Sequence, residues 1–137
     1  MRNTLIDSGP LVAFLDRRDQ WHEWAAAEFQ KATDAFQTCD AVLTEACFLL
    51  SGVGGAVGRL QQLIKAQALQ SVFFSGPEAC SLLSLMERYA SVPMSFADAC
   101  LVRMSELLPG STVFTTDSDF RIYRRNRRQI IPILCPD

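Results

Sequence analysis

The stretch Thr4-Leu5-Ile6-Asp7-Ser8-Gly9-Pro10-Leu11-Val12-Ala13-Phe14-Leu15 contains the decision about the fold. A short apolar run ends abruptly at a carboxylate. Ser8-Gly9-Pro10 then signals a helix start, with Pro10 suited to the first turn. Leu11, Val12, Phe14 and Leu15 supply that helix with an apolar face. A buried strand that runs straight into a helix is the opening unit of an alternating α/β chain.

The alternation continues outward from this unit. After a polar break over 16–20, the pattern predicts a helix over 21–31 and a strand over 35–38. Asp40 can cap a further helix whose expected core face is Val42, Glu45, Phe48 and Leu49. The glycine-rich stretch 52–58 reads as a flexible break before a helix over 59–68. A strand over 71–74, a helix from Pro77 to about Tyr89, a helix opened by Ser95 and a strand over 111–115 follow. Residues 130–134 read as a last strand, which Pro132 confines to a sheet edge. No linker, repeat or low-complexity tract intervenes, so residues 1–137 are expected to form one domain. Such alternation predicts a parallel sheet with helices on both faces and right-handed crossovers. Ligands are then expected beyond the carboxyl ends of the strands, at the topological switch point.

Composition narrows the function classes. Hydrophobic residues make up 49% of the chain, enough for a core. No run approaches the roughly 20 apolar residues of a membrane helix. Arg2 introduces a charge before a signal-peptide core can develop, so a soluble, cytoplasmic protein is expected. The five cysteines are scattered without a C-x-x-C pair, and the only histidine, His22, has none nearby. That pattern argues against zinc and against a disulfide framework. Net charge is −2, yet five arginines (Arg121, Arg124, Arg125, Arg127 and Arg128) crowd one short segment. They are read either as a solvated surface or as contacts for phosphate.

Four acids stand apart from the polar segments. Asp7 ends the first strand and Asp117 follows the strand over 111–115, so both belong at one rim of the sheet. Glu45 shares a helical face with Val42, Phe48 and Leu49, and Asp98 shares one with Met94, Leu101 and Val102. Carboxylates on apolar stripes are rarely buried unless paired or bound to metal. Lysines occur only at 31 and 65, and Arg103 points elsewhere on the helix that carries Asp98. Converging acids without cationic partners suit a hard divalent ion such as Mg²⁺ or Mn²⁺. Each acid also has a structural reading. Asp98 can close a capping box with Ser95, Asp117 can cap a short helix, and Asp7 can accept amides after Gly9. Glu45 has the weakest such alternative.

The order Leu-Ile-Asp7-Ser-Gly-Pro-Leu-Val-Ala-Phe-Leu, Leu-Thr-Glu45-Ala, Ala-Asp98-Ala-Cys-Leu and Thr115-Thr116-Asp117-Ser118-Asp119-Phe120 resembles the PIN-domain family, closest to its VapC-like toxins. The resemblance spans 7–120. It implies a three-layer α/β/α sandwich with a five-stranded parallel sheet, usually as a homodimer. It further implies Mg²⁺- or Mn²⁺-dependent endoribonuclease activity leaving 5′-phosphate and 3′-hydroxyl ends. Asp7, Glu45, Asp98 and Asp117 match the family's acidic, metal-holding positions. Ser8 and Thr115 match its supporting hydroxyls, while Asp119 falls at a position that varies. The arginines at 121–128 match no motif. As a toxin, the chain would have RNA as substrate and a small antitoxin as partner.

Other readings fit less well. A phosphoacceptor domain needs an acidic pair near the first strand and a later lysine. A haloacid-dehalogenase-like phosphatase needs Asp-x-Asp there, and Asp7-Ser8-Gly9 is not one. His22, in a polar helix entry, reads as structural or surface, which leaves no triad chemistry. The remaining rival is a PIN-like dimeric binding or regulatory module without nuclease activity.

Overall fold

Successive strand residues face opposite sides of a sheet, so the burial of both Leu5 and Ile6 requires cover on both faces. The computed structural model describes residues 3–137 and shows that cover. The expected charge at Arg2 lies outside the described residues. In chain order the elements are β1 (Thr4–Ile6), α1 (Ser8–Leu15), α2 (His22–Lys31), β2 (Phe36–Cys39), α3 (Asp40–Leu49), α4 (Ala56–Lys65) and β3 (Leu69–Phe73). They continue with α5 (Ala79–Arg88), α6 (Phe96–Leu107), β4 (Thr112–Phe114), β5 (Arg124–Arg125), β6 (Gln129–Ile130) and β7 (Ile133–Leu134). Two single 3₁₀ turns cover Gly76–Glu78 and Ser118–Arg121.

Five strands form one parallel sheet in the order β3-β2-β1-β4-β7, giving the expected three-layer α/β/α architecture. The chain winds outward from β1 through β2 to β3, then crosses back to place β4 on the other side of β1. The switch point therefore lies between β1 and β4, where Ile6 pairs with Phe114. On one face Leu5 and Val113 pack against Leu82 of α5 and against Leu101 and Met104 of α6. On the other, Ile6, Phe36, Leu69 and Phe114 pack against α1 and α4. Phe29 of α2 stacks on Phe14 at a centroid separation of 3.9 Å and tilts against Phe36 at 4.7 Å. An aromatic wedge thus fixes α1 and α2 to the sheet.

Three expectations about local structure are corrected. The core stripe of α3 is Val42 and Ala46, continued by Leu50 at its end, whereas Phe48 and Leu49 are 77% and 51% exposed. The stripe follows an i, i+4, i+8 spacing, which turns Phe48 to the opposite, solvent side and leaves Leu49 on the stripe's half-exposed flank. The helix expected over 59–68 runs instead from Ala56 to Lys65. Gly55, at φ +76°, turns the chain so that Ala56 and Leu60 reach the core. Gln67, at φ +58°, ends the connection in time for β3 to start at Leu69 rather than 71. Finally, the strand expected over 130–134 divides at Pro132. Gln129–Ile130 pairs antiparallel with β5, and Ile133–Leu134 forms the sheet edge beside β4.

These placements separate two phenylalanines sharply. Phe114→Ala opens a cavity at the sheet centre and costs about 3–5 kcal/mol. Phe48→Ala should stay within about 0.5 kcal/mol of wild type. Urea unfolding of the two variants checks the assignment, and comparable losses would refute it.

Candidate active site

Neighbouring β1 and β4 end at the same rim, and the Asp7 amide donates to the Phe114 carbonyl at 2.9 Å to hold the two ends together. Asp7 is the N-cap of α1, its Oδ1 accepting from the Ser8 amide at 2.7 Å. Its other oxygen, Oδ2, accepts from Thr115 Oγ1 at 2.8 Å. Thr115 Oγ1 in turn accepts from the Asp117 amide at 2.9 Å, coupling the two strand-end acids through one hydroxyl. Ser8 links the other way, donating from Oγ to Glu45 Oε1 at 2.5 Å.

Asp98 arrives from α6. It closes a capping box in which its amide donates to Ser95 Oγ and its Oδ2 accepts from the Ser95 amide, both at 3.0 Å. Asp117 caps the following 3₁₀ turn, accepting from the Asp119 amide at 2.9 Å. The capping roles anticipated for Asp98 and Asp117 are therefore present. They coexist with convergence, because Asp7, Glu45, Asp98 and Asp117 all line one open cleft of about 510 Å³.

Ser8 also lines this cleft, whereas Thr115 is fully buried behind it. Asp119 reaches the site only through its amide and does not line the cleft. None of the five clustered arginines lines it either. His22 is remote, its Nδ1 donating to the Ala13 carbonyl at 2.8 Å.

Several contributors escape a reading of the sequence. Gly9 is required because a Cβ there would fall 2.1 Å from Thr116 Oγ1, and both residues line the cleft. Pro93 and Met94 form a wall, fixed by Tyr123, whose hydroxyl donates to the Pro93 carbonyl at 2.8 Å. Tyr123 is fully buried, and its ionisation is pushed up by burial and by the nearby negative charge of Asp98 and the other acids. The one signal for Tyr123 in the sequence is an aromatic residue set inside an arginine-rich run.

Electrostatics mark the cleft as unneutralised. Asp7 and Asp98 are only 5% and 8% exposed. Burial, reinforced by the charges of Asp98 and Glu45, pushes the Asp7 carboxyl up to about 7. Burial, with repulsion from Asp117 and Glu45, raises Asp98 to about 6. Among the described residues no arginine or lysine forms an ion pair with any of the four acids. Among the same residues, no three His, Cys, Asp or Glu side chains are assembled as a metal-holding group. In chemistry, however, the donor set fits a hard cation. The cleft offers carboxylates and hydroxyls, with neither imidazole nor thiolate in its lining.

A raised carboxyl has a definite consequence for stability. Folded Asp7 retains a proton up to about pH 7, whereas an ordinary aspartate gives it up near 3.8. The folded state thus binds more protons between these values, and metal-free stability falls as pH rises through them. In Asp7→Asn this dependence should shrink by on the order of a few kcal/mol between pH 4 and pH 8. Urea titrations of both proteins in EDTA measure it, and superimposable pH profiles would contradict the burial of Asp7 charge.

Comparison with known proteins agrees with this architecture. A PIN domain is matched over residues 4–126. The fold is also similar to the crystal structure of Mycobacterium tuberculosis VapC20, a toxin that cleaves the sarcin-ricin loop. That likeness has a TM-score of 0.74, covers 85% of this chain and 92% of that one, and carries 16% sequence identity. At such identity it speaks for the fold alone. No curated protein sequence matches the chain. The match over 4–126, carried by an α/β/α sandwich with acids gathered at its switch point, places this chain in the PIN-domain family.

Proposed function

We propose that the chain is a metal-dependent endoribonuclease that hydrolyses RNA phosphodiester bonds, acting as the toxin of a type II toxin–antitoxin pair. One observation carries the reading. Four carboxylates from four separate elements line a single cleft, and no cation of the described chain neutralises them. Membership of the PIN-domain family supports the same chemistry.

Asp7, Glu45, Asp98 and Asp117 would hold Mg²⁺ or Mn²⁺. The ion supplies Lewis acidity at the scissile phosphate and lowers the pKa of the attacking water. The chain's own part is to aim the ligands. Thr115 orients Asp7, Ser8 orients Glu45, and the Ser95 amide orients Asp98. Such supporting bonds fix which carboxylate oxygens remain turned toward the cleft. A carboxylate of the set takes the proton of the attacking water, and products carry 5′-phosphate and 3′-hydroxyl ends. Asp119, bonded through its amide to Asp117, steadies the loop rather than the ion. A small antitoxin would silence the site by presenting a basic side chain to the carboxylates. The chain would act as a homodimer, as its resemblance to the VapC-like toxins implies.

Incubation of the purified protein with total RNA and Mg²⁺ or Mn²⁺, followed by mapping of cut ends, tests the proposal. Asp98→Asn retains the capping geometry and should unfold within about 1 kcal/mol of wild type. Its cleavage should fall by at least about 100-fold, the upper end of what loss of a mere supporting partner costs. Full activity in this variant would remove Asp98 from the site. Intact RNA in every metal would leave the chain a PIN-like binding module.

A further inference from the structure

The arginine-rich segment does not form one patch. Arg124 Nη1 donates to the carbonyls of Arg121, Ile122 and Tyr123 at 2.8, 3.0 and 3.1 Å. Arg125 Nη1 lies 3.5 Å from the carbonyls of Ser105 and Ser111. Both side chains are taken up by backbone. The turn between β5 and β6 instead presents Arg127 to solvent, at φ +72° beside Asn126 at φ +50°. Long side chains seldom occupy left-handed backbone, and retained strain of this kind clusters at functional sites. Glu106 pins the turn to α6. Its Oε2 accepts from the Asn126 amide at 2.6 Å, and its Oε1 accepts from Arg103 Nη1 at 3.2 Å.

The pinned turn forms one wall of a second cleft, of about 660 Å³, with Ser84 and Arg88 of α5 and Arg103 and Glu106 of α6. Three arginines against one glutamate line it, in a chain of net charge −2. Arg103 is engaged by Glu78 and Glu106, whereas Arg88 and Arg127 form no ion pair among the described residues. Glu106 follows Asp98 by eight residues on α6, about 12 Å along the helix axis. One helix therefore contributes to both clefts.

We infer that this second cleft binds the phosphodiester backbone of RNA a few nucleotides from the scissile bond, with Arg88 and Arg127 as the phosphate contacts. The inference rests on the ribonuclease reading above. A guanidinium offers paired donors that match phosphate oxygens, and the Ser84 hydroxyl, which lines the same cleft, adds a neutral donor. Arg88 ends α5 five residues before Pro93, which lines the carboxylate cleft, so a polynucleotide leaving that cleft can cross this connection into the second one. An isolated acidic peptide has no reason to span both.

The test is fluorescence anisotropy with a labelled single-stranded RNA in EDTA, across a series of KCl concentrations. Arg127→Gly suits the left-handed turn, so any loss of binding cannot be ascribed to a damaged hairpin. Arg88→Gln is its partner variant, and Arg18→Gln, in the loop after α1, is the control. Each cleft variant should weaken binding several-fold, and the double variant about tenfold or more. The dependence of log affinity on log salt should flatten by about 0.7 per arginine, while the control matches wild type. Unchanged affinity and slope in the double variant would overturn the inference, as would a preference of the wild-type protein for a polyglutamate peptide over RNA. If wild type fails to cut RNA with Mn²⁺, the ribonuclease reading fails separately, since binding is measured without metal. No RNA binding by wild type in EDTA would overturn the inference alone, since cleavage with Mn²⁺ tests the ribonuclease reading.

Discussion

Carboxylates held together against their own repulsion are the constraint around which this fold is arranged. Asp7 sits almost fully buried at the end of β1, where a carboxyl group is costly unless its oxygens are bonded. Three hydrogen-bonding side chains or amides hold the acids in place: Thr115 behind Asp7, Ser8 between Asp7 and Glu45, and Ser95 at Asp98. The sheet order makes this possible. Because the strand order reverses at β1, the neighbouring ends of β1 and β4 bring Asp7 and Asp117 to one rim, and α3 and α6 add Glu45 and Asp98 there. Partial positive charge at the helix starts eases the cost of Asp7 and Asp98 without cancelling it. Both carboxyls remain well above the ordinary aspartate range.

Capping a helix and lining the cleft are compatible rather than competing roles for an acid. An acid that closes a helix terminus has its backbone and one oxygen fixed, which leaves the rest of the carboxylate aimed predictably. Asp98 shows this most clearly, its Oδ2 spent on the Ser95 amide while the side chain still lines the cleft.

Much of this was legible in the sequence because it depends on local rules. Asp7 and Asp117 follow apolar runs, so their place at a strand end needs only strand length. Asp98 follows Ser95 at the spacing of a capping box. What depends on contacts between distant segments was not legible. The exposure of Phe48 depends on where α3 meets the sheet, and a one-residue rotation of the apolar stripe suffices to expose it. The requirement for glycine at 9 comes from Thr116, far along the chain. Tyr123 props the Pro93 wall across 30 residues, and an aromatic residue within an arginine-rich run says nothing of that partner. The arginine cluster looked uniform as a sequence, yet carbonyl bonding draws in Arg124 and Arg125 while a strained turn sets Arg127 outward.

Calorimetric titration of Mn²⁺ into the metal-free protein at neutral pH tests the central claim most directly. Saturable binding in wild type, lost when Asp7 and Asp98 are both changed to asparagine in a protein that remains folded, is the predicted result. Equal Mn²⁺ affinity in that double variant, or no binding by wild type, would show that the gathered acids do not exist to hold a cation.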